Sequence, residues 1–257
     1  MSARLMRAGR PTRRVPAAGA ASLTLRALLN RRRTLLLALL GLLLIGVAAL
    51  YGIGEPSADE SLRFTQRLLG NFGIGVLLPL VAVIVGTAAL GSEIDDGTIV
   101  YLLSKPVARW RIVLVKVAVA WILTSLLVAP AIYVAGIIGS GDAQLAGAFA
   151  VAAIAGALEY TAIFVALSLV TSRALIVGLA YVVIWEGVVA GLFAATRTVS
   201  VRQHVLAIAE GLGGDGASGI ADLELGLAVA IMAVVTILAT ALAVRRLATV
   251  ELRGETA

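Results

Sequence analysis

Residues 92–116, SEIDDGTIVYLLSKPVARWRIVLVK, form a polar and charged island between two long apolar runs. Whether those runs cross a bilayer decides the fold. A chain of 257 residues that is 60% hydrophobic and 14% charged lies outside the range of soluble globular domains. Its mean hydropathy is +1.02. One span needs about 20 apolar residues, so this length holds roughly six with short connections and no sizeable soluble domain. The expected fold class is all-α: an integral membrane protein of six transmembrane helices.

Working outward from the island gives the boundaries. Upstream lie spans at about 34–53 and 72–91, with Pro79 inside the second. Downstream lie spans at about 117–138, 145–171, 174–195 and 225–244. Pro130 is expected to bend the third, and Ser172 with Arg173 to turn the fourth into the fifth. Residues 1–21 are basic and rich in Ala, Gly and Pro, which predicts a disordered leader. Residues 22–33 alternate Leu and Arg at helical spacing, which predicts an interfacial amphipathic helix. Residues 34–244 then form the membrane domain, and 245–257 a tail.

The net charge of +6 is a matter of topology, and no nucleic acid partner is expected. All but four of the 21 Lys and Arg residues fall on one side of the alternating spans. The exceptions are Arg63, Arg67, Arg197 and Arg202. By the positive-inside rule both termini and the island are cytoplasmic, in the inner (plasma) membrane. Arg109, Arg111 and Lys116 are then placed to snorkel toward that interface. The connection 196–224 falls outside. There Ser200 and Gln203 fit a capping box, Val201, Val205 and Ile208 follow at helical spacing, and Gly211 supplies a stop. A short external amphipathic helix lying on or dipping into the outer interface is expected, with His204 as an interfacial polar residue.

Several chemistries are excluded or unsupported. There is no Cys, hence no disulfide or thiolate site, and one His makes the usual zinc sites impossible. Lys105 and Lys116 are the only lysines and follow Ser104 and Val115, so the Gly-Lys-Ser/Thr core of a phosphate-binding loop cannot occur. The chain is not expected to be an enzyme, and it offers no metal or cofactor ligands of its own.

The island resembles the cytoplasmic segment between the second and third spans of type-2 ABC transporter permeases, the six-span subunits without a fused ATPase. The matching residues are Glu93, Asp96, Gly97, Thr98, Leu102, Leu103, Ser104, Pro106 and Arg109, with Lys116 opening the next span. A second match is AYVVIWEGVVAGLF followed by RTVSVRQHVLAIAEG, where Trp185, Glu186 and Gly187 precede a short external helix. The resemblance implies an ATP-driven exporter. Two copies of a separate ATPase would bind ATP and Mg, and a second permease chain would complete a homodimer or similar heterodimer. It also implies a coupling helix seated in the ATPase. The island's chemistry suits that role: Ser92 with Asp95 can cap a helix, and Glu93, Asp95 and Asp96 favour a helix N-terminus. Leu102 and Leu103 offer apolar surface, and Pro106 ends the helix.

Glu159 and Glu186 lie inside apolar spans, where an ionised side chain costs at least about 3 kcal/mol. Each stands thirteen residues from the 172–173 turn, so both sit about 20 Å from it, near midplane on antiparallel helices. They can share a proton or a hydrogen bond if their faces meet. They are candidates for the translocation path or a helix interface, together with Gly187 and Gly191, whose G-x-x-x-G spacing permits close approach. The competing function is a proton-coupled secondary transporter using these two carboxylates, and a third is a membrane scaffold.

Overall fold

The computed structural model describes residues 31–95, 108–190 and 194–254, with side chains over 35–90, 108–190 and 196–249. Among the described residues the chain is helical, with no strand. Helix α1 spans Arg31–Gly52. Helix α2 (Ala58–Arg67) widens into a π-helical stretch, Leu68–Leu77, which returns to α-helix as α3 (Leu78–Asp95). Then come α4 (Arg109–Ser140), α5 (Ala143–Val170) and α6 (Ala174–Ala180), the last continuing into a second π-helical stretch, Tyr181–Val189. The short α7 (Ala194–Arg197), α8 (Val201–Gly213), a 3₁₀ turn Gly214–Ala217 and α9 (Leu225–Gly254) complete the order.

Five helical rods are long and apolar enough to cross a membrane: Leu35–Gly52, Ala58–Leu90, Arg109–Ser140, Ala143–Val170 and Leu225–Thr249. Over the expected span at 174–195 the described apolar helix is Ala174–Val189, and residues 191–193 lie outside the described residues.

Local chemistry sets the ends of these rods. Ser57 and Glu60 form a complete capping box at the start of α2, with the Ser57 N–H donating to Glu60 Oε2 at 3.0 Å and the Glu60 N–H donating to Ser57 Oγ at 3.4 Å. Gly141, at φ +70°, ends α4 in the left-handed region. Asp142 then caps α5, accepting from the N–H of Gln144 at 2.8 Å and of Leu145 at 3.1 Å. Thr171 Oγ1 accepts the Arg173 N–H at 3.2 Å in the turn between α5 and α6.

Helix α5 is the centre of the molecule, packed by α3, α4, α8 and α9. Phe149, Tyr160 and Phe164 on it are fully buried. By contrast α1 and α9 expose most of their apolar side chains, among them Leu36, Leu50, Ile237 and Leu238. Such a surface is stable in lipid and costly in water.

Several boundaries correct the sequence reading. The charged connection before the second span is largely helical, because Ser57 nucleates α2 and the rod runs on without a break. Ser92 does not cap a new helix, since α3 passes through Gly91 and Ser92 to Asp95. Arg245 and Arg246 lie inside α9 rather than opening a tail. Arg111 is exposed, but Lys116 is only 4% exposed and belongs to the bundle rather than the interface. The expected leader, and the interfacial helix up to residue 30, lie outside the described residues.

Candidate polar site at the buried start of α8

Helix α8 does not lie along an outer surface. Val201, His204, Val205, Leu206, Ala207, Ile208 and Ala209 are all buried. The helix runs beside α5. A Cβ added at Gly156 would overlap Val205, and Gln144 Nε2 donates to the Leu212 carbonyl at 3.4 Å. Its first turn therefore begins level with the middle of α5, and its last turn reaches the Ala143 end. The expected helix and its Ser200 cap are present, with the Gln203 N–H donating to Ser200 Oγ at 3.4 Å. Its position is the correction: a period that places Val201, Val205 and Ile208 on one face matches a helix packed on protein as well as one resting on lipid.

A helix that starts inside an apolar bundle has orphan N–H groups and a positive dipole end with no water to meet them. Glu186, only 3% exposed, supplies the acceptor. Its carboxylate accepts from the Ser200 hydroxyl, from the Val201 N–H at 2.9 Å and from the Tyr181 hydroxyl at 3.2 Å. Three donors thus converge on one carboxyl group. Tyr181 and Glu186 both belong to the π-helical stretch, where the Ala190 N–H reaches back five residues to Trp185 O. The wider turn sets Glu186 against the α8 N-terminus while leaving Val183, Ile184, Gly187 and Val188 on the open side.

Glu159 has a different partner. His204 Nδ1 lies 3.1 Å from its Oε1 and 3.2 Å from its Oε2, and both side chains are fully buried. The other ring nitrogen, Nε2, is 3.0 Å from the Thr198 carbonyl oxygen, which can only accept. Nε2 therefore carries a proton. Between Nδ1 and the carboxyl group one more proton is required, on either side.

The two carboxylates are thus brought to the same small helix, but not to each other: α8 offers Ser200 and Val201 to one and His204 to the other. This corrects the expectation of a shared proton or hydrogen bond between them. His204 was legible only as a lone polar residue, and its role becomes visible once α8 is placed against α5.

The surroundings are consistent with a fixed joint. Arg202 donates to Asn71 Oδ1 at 2.6 Å and lies across Gly75, tying α8 to the first π-helical stretch. Arg197 pairs with Asp222 at 2.9 Å. Glu210 accepts the N–H groups of Gly219 and Ala221 at 3.0 and 2.8 Å, folding the connection before α9 back onto α8. Tyr160, wholly buried beside these groups, has a hydroxyl with no hydrogen-bond partner.

The other predicted site residues are placed as follows. Glu93 lies in the last turn of α3, and Arg109 opens α4 with a half-buried side chain. Asp96, Gly97, Thr98, Leu102, Leu103, Pro106 and Gly191 lie outside the described residues. Among the described residues Gly187 makes no close approach, and an added Cβ would meet Val182 O at 3.7 Å. No group of three or more His, Cys, Asp or Glu residues able to hold a metal occurs among the described residues.

A family model described as ABC-2 family transporter protein matches residues 29–200. The matched stretch contains Glu159, Glu186 and Ser200 and ends just before α8. A comparison with curated proteins found no match.

Proposed function

The chain belongs to the ABC-2 family of transporter proteins, a multi-pass membrane permease, and we propose that it works as the membrane subunit of an ATP-driven exporter. ATP and Mg are held by a separate ATPase, in two copies, and this chain performs no catalysis. A second permease chain, as homodimer or similar heterodimer, completes the path. The open face of Val183, Ile184, Gly187 and Val188 is the surface it would use, with Gly191 continuing the same spacing.

The observation that carries the coupling is the continuity of the rods on either side of the island. Helix α3 runs unbroken to Asp95, and α4 rises from Arg109 for 32 residues. A push on Glu93, Asp96, Gly97, Thr98, Leu102, Leu103 and Pro106 would therefore reach the middle of the bundle through internal helical hydrogen bonds. Six crossings, with both termini and the island cytoplasmic at the inner membrane, follow if α6 with its π-helical stretch supplies the inner half of one crossing and α8 the outer half. The shorter apolar helix has 16 residues and covers about 24 Å, short of the roughly 30 Å hydrocarbon core. The 13 residues of α8 add about 20 Å.

The test is docking. L102D/L103D is expected to abolish co-purification with a co-expressed partner ABC ATPase while leaving the permease inserted. Unchanged co-purification overturns the coupling assignment.

A further inference from the structure

We propose that Glu159 and His204 hold one exchangeable proton between them, and that this proton latches α8 against α5, so that its removal at alkaline pH frees the start of α8. The inference does not depend on the ATPase reading.

The geometry leaves little choice about what a lost proton does. Nε2 is committed to the Thr198 carbonyl, and Nδ1 stands 3.1 and 3.2 Å from the two oxygens of Glu159. With the proton present, the contact is an imidazolium against a carboxylate or an imidazole against a carboxylic acid. Both are hydrogen bonded and both have no net charge. Without it, the Nδ1 lone pair faces an anion in an interior that water does not reach, and an unpaired buried charge is strongly destabilising. His204 occupies the first turn of α8, next to the Val205 contact with Gly156. Separation at His204 therefore opens the seam between the two helices at its deepest point.

The titratable and charged groups that face this pair come from four elements. Helix α5 contributes the buried phenol of Tyr160, and the π-helical stretch the half-buried phenol of Tyr181. Glu186 is held as acceptor by three donors. On α8 itself Arg202 keeps its charge at every accessible pH and is tied to Asn71. In the preceding loop Arg197 is paired with Asp222. Helix α9 meets α8 through Leu225 at Gly211, far along the chain from its own Arg245 and Arg246.

Hydrogen exchange of the α8 amides over residues 205–209 tests this in the full chain in lipid nanodiscs, at about pH 6.5 and about pH 9.5 and with intrinsic exchange rates divided out. Protection in the wild type is expected to fall roughly tenfold or more at the higher pH, the equivalent of one charged hydrogen bond lost. In E159Q the amide N–H₂ donates to a neutral Nδ1 and there is no proton to lose. That variant should keep the protection seen at the lower pH and show no pH dependence. E159Q/H204Q, whose two amides can donate and accept across the same seam, has no group that titrates there, should show no pH dependence, and decides the matter if E159Q is unprotected at both pH values. A wild-type profile that does not change with pH, or a variant that retains the wild-type fall, overturns the proposal.

Discussion

Glu186 accepts the backbone N–H of Val201 at 2.9 Å across fifteen residues of sequence, so a carboxylate inside one helix neutralises the first turn of another. The Ser200 hydroxyl joins the same carboxylate. Removing the hydroxyl in S200A takes away both a cap and a charged hydrogen bond, at a cost of about 1–2 kcal/mol. E186A leaves the Ser200, Val201 and Tyr181 donors without their acceptor and should cost about 3 kcal/mol or more. Thermal unfolding in detergent would resolve the two, with about 2–4 °C for each kcal/mol in a chain of this size. Equal midpoints for S200A and E186A would mean that the carboxylate does not organise the site.

The buried Tyr160 and the half-buried Tyr181 should answer differently to the same change. The Tyr181 hydroxyl donates to Glu186, so Y181F loses a hydrogen bond to a charged group and should destabilise by about 1–2 kcal/mol. The Tyr160 hydroxyl has no partner, so Y160F removes a desolvated polar atom at no cost in packing and should be neutral or stabilising. Midpoints from the same unfolding assay check the contrast. A larger loss in Y160F than in Y181F would show that its hydroxyl is engaged after all.

The absence of a side chain at Gly156 is what lets α8 lie against α5. G156A places a methyl group on Val205 and should cost about 1–3 kcal/mol, even though Ala is the better helix former. In a V205A background the overlap with Val205 Cγ2 is gone and only Leu78 Cδ2, at 3.1 Å, has to give by a few tenths of an ångström, so the same substitution should cost less than about 1 kcal/mol. A coupling near zero in this double-mutant cycle would separate the two helices at that point.

Because the chain has no Cys, single cysteines report orientation without a background. S218C, in the connection before α9, should react with an impermeant maleimide on intact cells, and R253C only after permeabilisation. The opposite pattern would reverse the charge-based topology.

The apolar rods were legible because a bilayer demands long runs of one chemistry, and Leu35–Gly52 or Ala143–Val170 can be read with no knowledge of any partner. The turn at Gly141 and Asp142 was legible too, since its signals are local. Helix α2 is harder to read although Ser57 and Glu60 carry a complete capping signature, because Glu55, Asp59, Glu60, Arg63 and Arg67 have the composition of a charged connection between spans. The polar joint at α8 was hidden for a different reason. A lone Glu159 in an apolar run announces that it needs a partner, but nothing local identifies His204, forty-five residues away. The π-helical stretches that aim Glu186 and seat Arg202 have no sequence period of their own.

That separation of forty-five residues also sets an order of events at synthesis. At roughly 5–20 residues per second, His204 leaves the ribosome about 2–9 s after Glu159. Until then α5 carries a carboxyl group into the bilayer with its designated partner unmade. The newborn helix must shelter that group, as the neutral acid or against the helices already inserted, until α8 folds back to meet it. A contact at the centre of the molecule is then one that the growing chain has to wait for.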